Sequence, residues 1–187
     1  MAKRLTLGAL IAALNHWRPE GLDRPVYPVI DSRKVTEPGA VFFAFQGENV
    51  DGHDYVADAL QRGAVAAVIE RDVDIDRDVQ VLDLTSRIAS DVDGTRPLLL
   101  KVPDVLAGLQ AAARRWRRAL DLRVIGITGS VGKTTTKEVA ARVLAQRYDV
   151  TWSRGSYNNE IGLPLTLLGL GGADQHAAAG TRRVVLE

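Results

Sequence analysis

Cysteine is missing from all 187 residues. That absence excludes disulfides and thiolate metal sites, and it fits a reducing compartment without requiring one. A surplus of either charge is missing too: 24 Lys and Arg face 23 Asp and Glu, for a net charge of +1. Such a balance offers no electrostatic footing for nucleic acid or for an anionic membrane. Nor is there a long hydrophobic run. The apolar stretch near the N-terminus, Thr6 to Leu14, is too short and too interrupted to span a bilayer, and no cleavage site marks it as a leader. The expectation is a cytoplasmic monomer with no nucleic-acid partner and no membrane insertion. What is present is ordinary for a globular chain, 46% hydrophobic and 25% charged, in a length that holds one domain or two small ones.

Against that background one stretch stands out. Val124-Ile125-Gly126-Ile127 has strand character, Thr128-Gly129-Ser130-Val131-Gly132 is a glycine-bearing loop, and Lys133-Thr134-Thr135 opens a helix. A phosphate-cradling loop needs this order, because loop and first-turn N–H groups then converge on one point and the helix dipole adds positive potential there. In that reading Lys133 supplies the cation for the β- and γ-phosphates of ATP, and the Thr134 hydroxyl holds Mg²⁺. The spacing departs from G-x-x-x-x-G-K-[ST], since Ile127 stands where the first glycine would fall. The compact form T-G-x-x-G-K-T-[ST] still has glycine at the bend and beside the lysine. The alternative is a strand-to-helix turn that merely carries Gly-Lys-Thr.

Elsewhere the pattern is α/β. A short helix is expected over residues 6–16, with Leu7, Leu10, Ile11 and Leu14 on one face and His16 at its end. Strands are expected at Val26–Ile30, Ala40–Phe45, Val65–Ile69 and Val79–Leu84, with a helix through Tyr55, Ala59 and Leu60 ended by Gly63. Glu70 to Asp78 reads as a solvated loop, and Thr85 to Thr95 has loop composition. A helix from Pro103-Asp104 to about Leu120 would bury Leu106, Leu109, Ala113, Trp116 and Leu120. Its arginines 114, 115, 117 and 118 suit a solvated C-terminal face. After Leu122 a second unit begins, with strands at 122–127, 150–152 and 183–187 and a helix or crossover over Ile161–Leu170. Three strands are few for a P-loop sheet. The expected domains are 1–103, a linker helix at 104–121, and a partial P-loop domain at 122–187.

Three further stretches carry chemistry. Asp31-Ser32-Arg33 follows a strand, where a hydroxyl beside a guanidinium fork can take a diphosphate; it is equally an Asp-Ser turn. Asp51-Gly52-His53-Asp54 sits in a polar loop after the next strand, alternatively an Asp-Gly turn with a helix cap at Asp54. Asn158-Asn159-Glu160 lies beyond a strand end, where ligands gather in open sheets, or else forms an Asx turn.

Together the four stretches resemble the Mur ligases, ATP-dependent peptide ligases of peptidoglycan precursor synthesis. The residues that carry the likeness are D-S-R-x-V-x-x-P-G-x-x-F at the start of 31–54, D-G-H-D at its end, T-G-S-V-G-K-T-T-T-K-E at 128–138 and N-N-E-I-G-L-P-L-T-L-L at 158–168. The resemblance implies a small α/β UDP-binding domain followed by the opening of a Rossmann-like, parallel-sheet P-loop domain. It implies contacts to the UDP substrate from Ser32, Arg33, Asp51, Gly52 and His53. For ATP it implies Thr128, Gly129, Ser130, Val131, Gly132, Lys133, Thr134, Thr135, Asn158 and Asn159. Lys133 would be catalytic, and Thr134 and Glu187 would be the ligands of Mg²⁺.

Lys137-Glu138 and Asn158-Asn159-Glu160-Ile161-Gly162 are most similar to the members that add D-alanyl-D-alanine to a UDP-N-acetylmuramoyl-peptide; the sibling that adds the third residue is the nearest competitor. The implied chemistry is transfer of the γ-phosphoryl group of ATP to a substrate carboxylate, then attack by the amine on the acyl phosphate. No residue present is nominated as general base, and the chain is expected to be inactive alone, since family members carry more of the ATP domain and a third domain. Two rival classes stay open: another P-loop kinase or NTPase, and a non-catalytic UDP-sugar-binding module.

Overall fold

The computed structural model describes residues 4–86, 91–153, 159–170 and 182–186. The chain divides into two compact units, Arg4–Ala112 and a second that begins at Ala113.

The first unit is built on a five-stranded, wholly parallel sheet. Its strands are β1 (Tyr27–Val29), β2 (Ala40–Phe43), β3 (Ala66–Ile69), β4 (Gln80–Asp83) and β5 (Leu98–Lys101), in the spatial order β1-β2-β3-β5-β4. Register is set by pairs such as Phe42↔Ala67 and Ala67↔Leu99. The strand alternation puts Phe42, Ala67 and Leu99 on one face, in a cluster with Val56, Ala59 and Leu60 of helix α2 (Val56–Gln61). Val41, Phe43, Val68, Leu98 and Leu100 point the other way and are buried just as fully. A parallel sheet is stable only when both faces are dry, and here both are.

Helix α1 (Leu7–Asn15) starts where the Thr6 hydroxyl accepts the Ala9 N–H, and it stops at His16, whose left-handed backbone (φ 59°) ends the spiral. It buries Leu7, Leu10 and Ile11, the stripe its spacing predicts. Helix α3 (Val105–Ala119) is capped by Asp104, which accepts from the Ala107 N–H. Its buried residues are Val105, Leu109, Ala112, Ala113 and Trp116, whereas Leu106 and Leu120 are only half-buried. The buried stripe is therefore rotated from the expected one. Strand β5 was not anticipated at all, although its Leu98 and Leu100 are completely buried between β3 and β4.

In the second unit three parallel strands run in the order β6-β8-β7: β6 (Arg123–Gly126), β7 (Asp149–Trp152) and β8 (Arg182–Leu186). Helix α4 (Lys133–Leu144) joins β6 to β7 by crossing over β8, and α5 (Gly162–Leu168) follows β7. The Trp116 indole N–H donates to Leu170 O at 2.8 Å, tying the end of α3 to the chain beyond α5. No described helix is long and apolar enough to cross a membrane.

Phe42 is 1% exposed at the centre of the first unit's sheet. Replacing it by alanine should cost about 3–5 kcal/mol of unfolding free energy, measured by chemical denaturation; a loss below about 1 kcal/mol would show that this face is not the core.

Candidate functional site

Each unit carries its chemistry at the C-terminal edge of its sheet. In the second unit the β6 chain leaves the sheet after the Ile127 N–H has bonded to Leu186 O (2.9 Å), and it turns through Thr128 to Gly132 into α4. Gly129 and Gly132 both have positive φ (155° and 80°), which a side chain at either position would resist. Gly132 is also the helix N-cap, and no side chain caps the first turn of α4. Thr128 to Gly132 are exposed, and the Lys133 ammonium folds back to donate to Gly129 O at 2.8 Å. One turn on, Lys137 is completely buried. Ser153, at the end of β7, is 1% exposed and its Oγ has no hydrogen-bond partner among the described residues. Asn159 acts as an Asx cap, its Oδ1 accepting the Gly162 N–H at 2.7 Å as α5 begins. Asn158 and Glu187 lie outside the described residues.

In the first unit a cavity of about 950 Å³ opens at the ends of β1 and β2. Its walls include Ile30, Ser32, Arg33, Phe42, Phe45, Gly52, Tyr55 and Asp58. After β1 the chain makes a 3₁₀ turn, Ser32–Lys34, capped by Asp31 through the Arg33 N–H. The Arg33 guanidinium reaches back to the same carboxylate in a two-point contact, Nε to Oδ1 and Nη2 to Oδ2, both 2.9 Å. That contact holds the Asp31 carboxyl below its ordinary range. Ser32 is buried, and its hydroxyl together with Arg62 does the same for Asp58. Asp31, Arg33, Asp58 and Arg62 on this wall are thus paired within the protein.

After β2 a second 3₁₀ turn, Gly52–Tyr55, is capped by Asp51 rather than by Asp54, the residue the sequence suggested. The helix that follows has no side-chain cap. Gly52 donates to Phe45 O at 2.7 Å, and a Cβ there would stand 2.7 Å from that oxygen and 2.8 Å from the Phe45 nitrogen. Only glycine fits. Asp51 takes the Arg71 guanidinium at 2.8 Å and the His53 ring Nδ1 at 2.7 Å. Arg71 first, then His53, hold its carboxyl well below the usual carboxylate range. The His53 Nε2 accepts the Glu70 N–H at 3.0 Å, and the Glu70 carboxylate accepts the Val105 N–H at 2.6 Å.

Thus Ser32, Arg33 and Gly52 line one cavity, and Asp51 and His53 stand behind its wall. Arg62, Asp58, Glu70 and Arg71 went unrecognised in the sequence. The available signal for the last two was position: they directly follow β3, at the edge where parallel sheets bind ligands. Among the described residues no group of three or more His, Cys, Asp or Glu side chains is placed to hold a metal ion.

Residues 29–117 match the family described as Mur ligase family, catalytic domain, and residues 127–186 match the Mur ligase middle domain. Among curated proteins, the UDP-N-acetylmuramoyl-tripeptide–D-alanyl-D-alanine ligase of Synechocystis sp. is 41% identical over 140 residues, a match covering 75% of this chain and 27% of that protein. The ligase of the same name from Bacillus subtilis is 36% identical over 140 residues, with the same coverage. Matches to these relatives thus span about a quarter of their length. Among solved structures, the MurF ligase of Thermotoga maritima in complex with ADP superposes with a TM-score of 0.62 at 30% identity, covering 86% of this chain and 31% of that one. A MurF structure from Acinetobacter baumannii gives 0.69 at 27% identity, covering 99% and 36%.

The depressed carboxyls fix the sign of the acid response. Asp31, Asp51 and Asp58 ionise more readily in the fold than in the unfolded chain, so their contribution is complete above the unfolded value and disappears as pH falls through the folded one. The melting temperature should stay level down to about pH 5 and drop below about pH 4, the ordinary aspartate range. Asp51→Asn should lower the plateau and shallow the drop; an unchanged profile would remove Asp51 from this account.

Proposed function

This chain belongs to the Mur ligase family, and we propose that it binds ATP at the loop between β6 and α4 and a UDP-N-acetylmuramoyl-peptide in the cavity beside Ser32 and Arg33. The reaction served is the ATP-dependent ligation of D-alanyl-D-alanine to that peptide, by analogy with the names of its relatives. One observation supports the reading most: the loop whose two glycines take positive φ and whose lysine sits across its mouth, at the open N-terminus of a twelve-residue helix. ATP and UDP-muramoyl peptides are cytoplasmic reagents, and the cytoplasm is the proposed place of action.

A carboxylate is a poor electrophile, and ATP supplies the phosphoryl group that activates it. The chain's own residues prepare that transfer. Lys133 would leave Gly129 O for the β- and γ-phosphate oxygens, while the loop amides and the α4 dipole hold the rest of the charge. The Thr134 hydroxyl, in the first turn of α4, is a hard oxygen of the kind Mg²⁺ takes when phosphates provide most of its shell. Glu187, next in sequence after β8, is the proposed second ligand. Arg33 would exchange the Asp31 carboxylate for the diphosphate of the UDP group, and Ser32 would add its hydroxyl. Anchoring the nucleotide end in this way fixes where the distant peptide carboxylate can lie.

Separate calorimetric titrations with ATP–Mg²⁺ and with a UDP-muramoyl tripeptide test both sites. Lys133→Ala should weaken ATP by about tenfold to a hundredfold and leave the UDP ligand unchanged, and Arg33→Ala should do the reverse, the size expected for one charge-assisted contact. Equal ATP affinity in Lys133→Ala would sink the phosphate assignment.

A further inference from the structure

We propose that His53 is a positioning residue for the UDP-substrate cavity, acting through the Glu70 backbone and not through contact with the ligand. The inference rests on the cavity assignment above. The His53 side chain is 2% exposed, and the ring is absent from the cavity wall although its neighbours Gly52 and Asp54 are part of it. Both ring nitrogens are in use. Nε2 faces a backbone N–H, that of Glu70, so it must be the bare nitrogen. The proton is therefore on Nδ1 and is donated to Asp51 Oδ1. A histidine with one donor and one acceptor, each satisfied inside the protein, has nothing left to offer a substrate.

What the ring does is join two segments. Asp51 is a local partner two residues away, which also accepts the His53 N–H at 2.9 Å. Glu70 is seventeen residues away, at the end of β3. The Nε2 bond thus pins the loop between β2 and α2 to the sheet edge. Arg71 reinforces the pin from the surface, reaching Asp51 at 2.8 Å and Asp54 at 3.3 Å. On its other side Glu70 is held by its carboxylate at the start of α3, so the anchor is itself fixed. The pinned loop carries Gly47, Val50, Gly52 and Tyr55 into the cavity wall. Breaking the long-range bond would leave the part-buried Glu70 N–H without its partner and free the wall to shift.

The two bonds can be separated by side-chain length. Gln places its carbonyl near the position of Nε2, and Asn places its amide near the position of Nδ1. His53→Gln, His53→Asn and His53→Ala would be compared with the unmodified chain in calorimetric titrations with UDP-N-acetylmuramoyl-tripeptide and in hydrogen exchange at the Glu70 amide. His53→Gln should keep the Glu70 amide protected and bind within a few-fold of the unmodified chain. His53→Asn and His53→Ala should lose that protection and bind about tenfold or more weakly, with ATP–Mg²⁺ affinity unchanged. Equal binding by all three variants overturns the positioning role. So does weak binding by His53→Gln with the Glu70 amide still protected, since the ring itself would then touch the ligand. If His53→Ala does not fold, the Gln and Asn pair decides the matter. If the unmodified chain fails to bind the tripeptide, the cavity assignment falls first and this inference with it.

Discussion

Two parallel strands cannot be joined by a tight turn, because the chain must travel back to its starting end before the second strand can begin. Both sheets here obey that constraint, and the rest of the architecture answers to it. The return from β2 to β3 crosses a face of the first sheet as α2, which is why Val56, Ala59 and Leu60 are as deeply buried as residues of the strands. Each outgoing turn falls at the same edge. Asp31-Ser32-Arg33 after β1, Asp51-Gly52-His53 after β2 and Glu70-Arg71 after β3 are neighbours because of direction, although they are scattered in sequence. The loop at Thr128–Gly132 occupies the equivalent place in the second sheet.

Pairing of charge gives the first unit's edge its character. Asp31 with Arg33, Asp58 with Ser32 and Arg62, and Asp51 with Arg71 each satisfy a carboxylate within the protein. These contacts are largely solvated, and pairs of that kind add little to stability. Their value lies in geometry: Arg33 is held at the cavity by a partner that a stronger anion can replace. The second unit is arranged differently, with a lysine resting on a backbone carbonyl and a glycine where a capping side chain would otherwise stand.

The turn from β6 into α4 was legible because its pattern is contiguous: strand, glycines, lysine and helix follow one another over a dozen residues. Most strands were legible as short apolar runs between turn residues. Strand β5 was not, because Leu98-Leu99-Leu100 lacks β-branched residues, sits between Pro97 and Pro103, and becomes a strand only through neighbours on both sides. The cap at Asp51 was misplaced to Asp54 because a 3₁₀ turn precedes α2 and moves the start of the spiral forward. Nothing local announced the His53–Glu70 or Glu70–Val105 bonds. Their partners stand seventeen and thirty-five residues apart, and only the fold brings them within reach.

The interior position of β5 also has a consequence in time. As the chain leaves the ribosome, β1, β2 and β3 can pair as soon as Ile69 is free, but the outer side of β3 has no partner until Leu98 to Lys101 have been made. Strand β4 emerges earlier and cannot help, since it pairs only with β5. For that interval the growing protein exposes the edge of a strand composed of Ala66, Ala67, Val68 and Ile69, the kind of edge that recruits foreign strands. The last-made strand of this sheet is thus its seal.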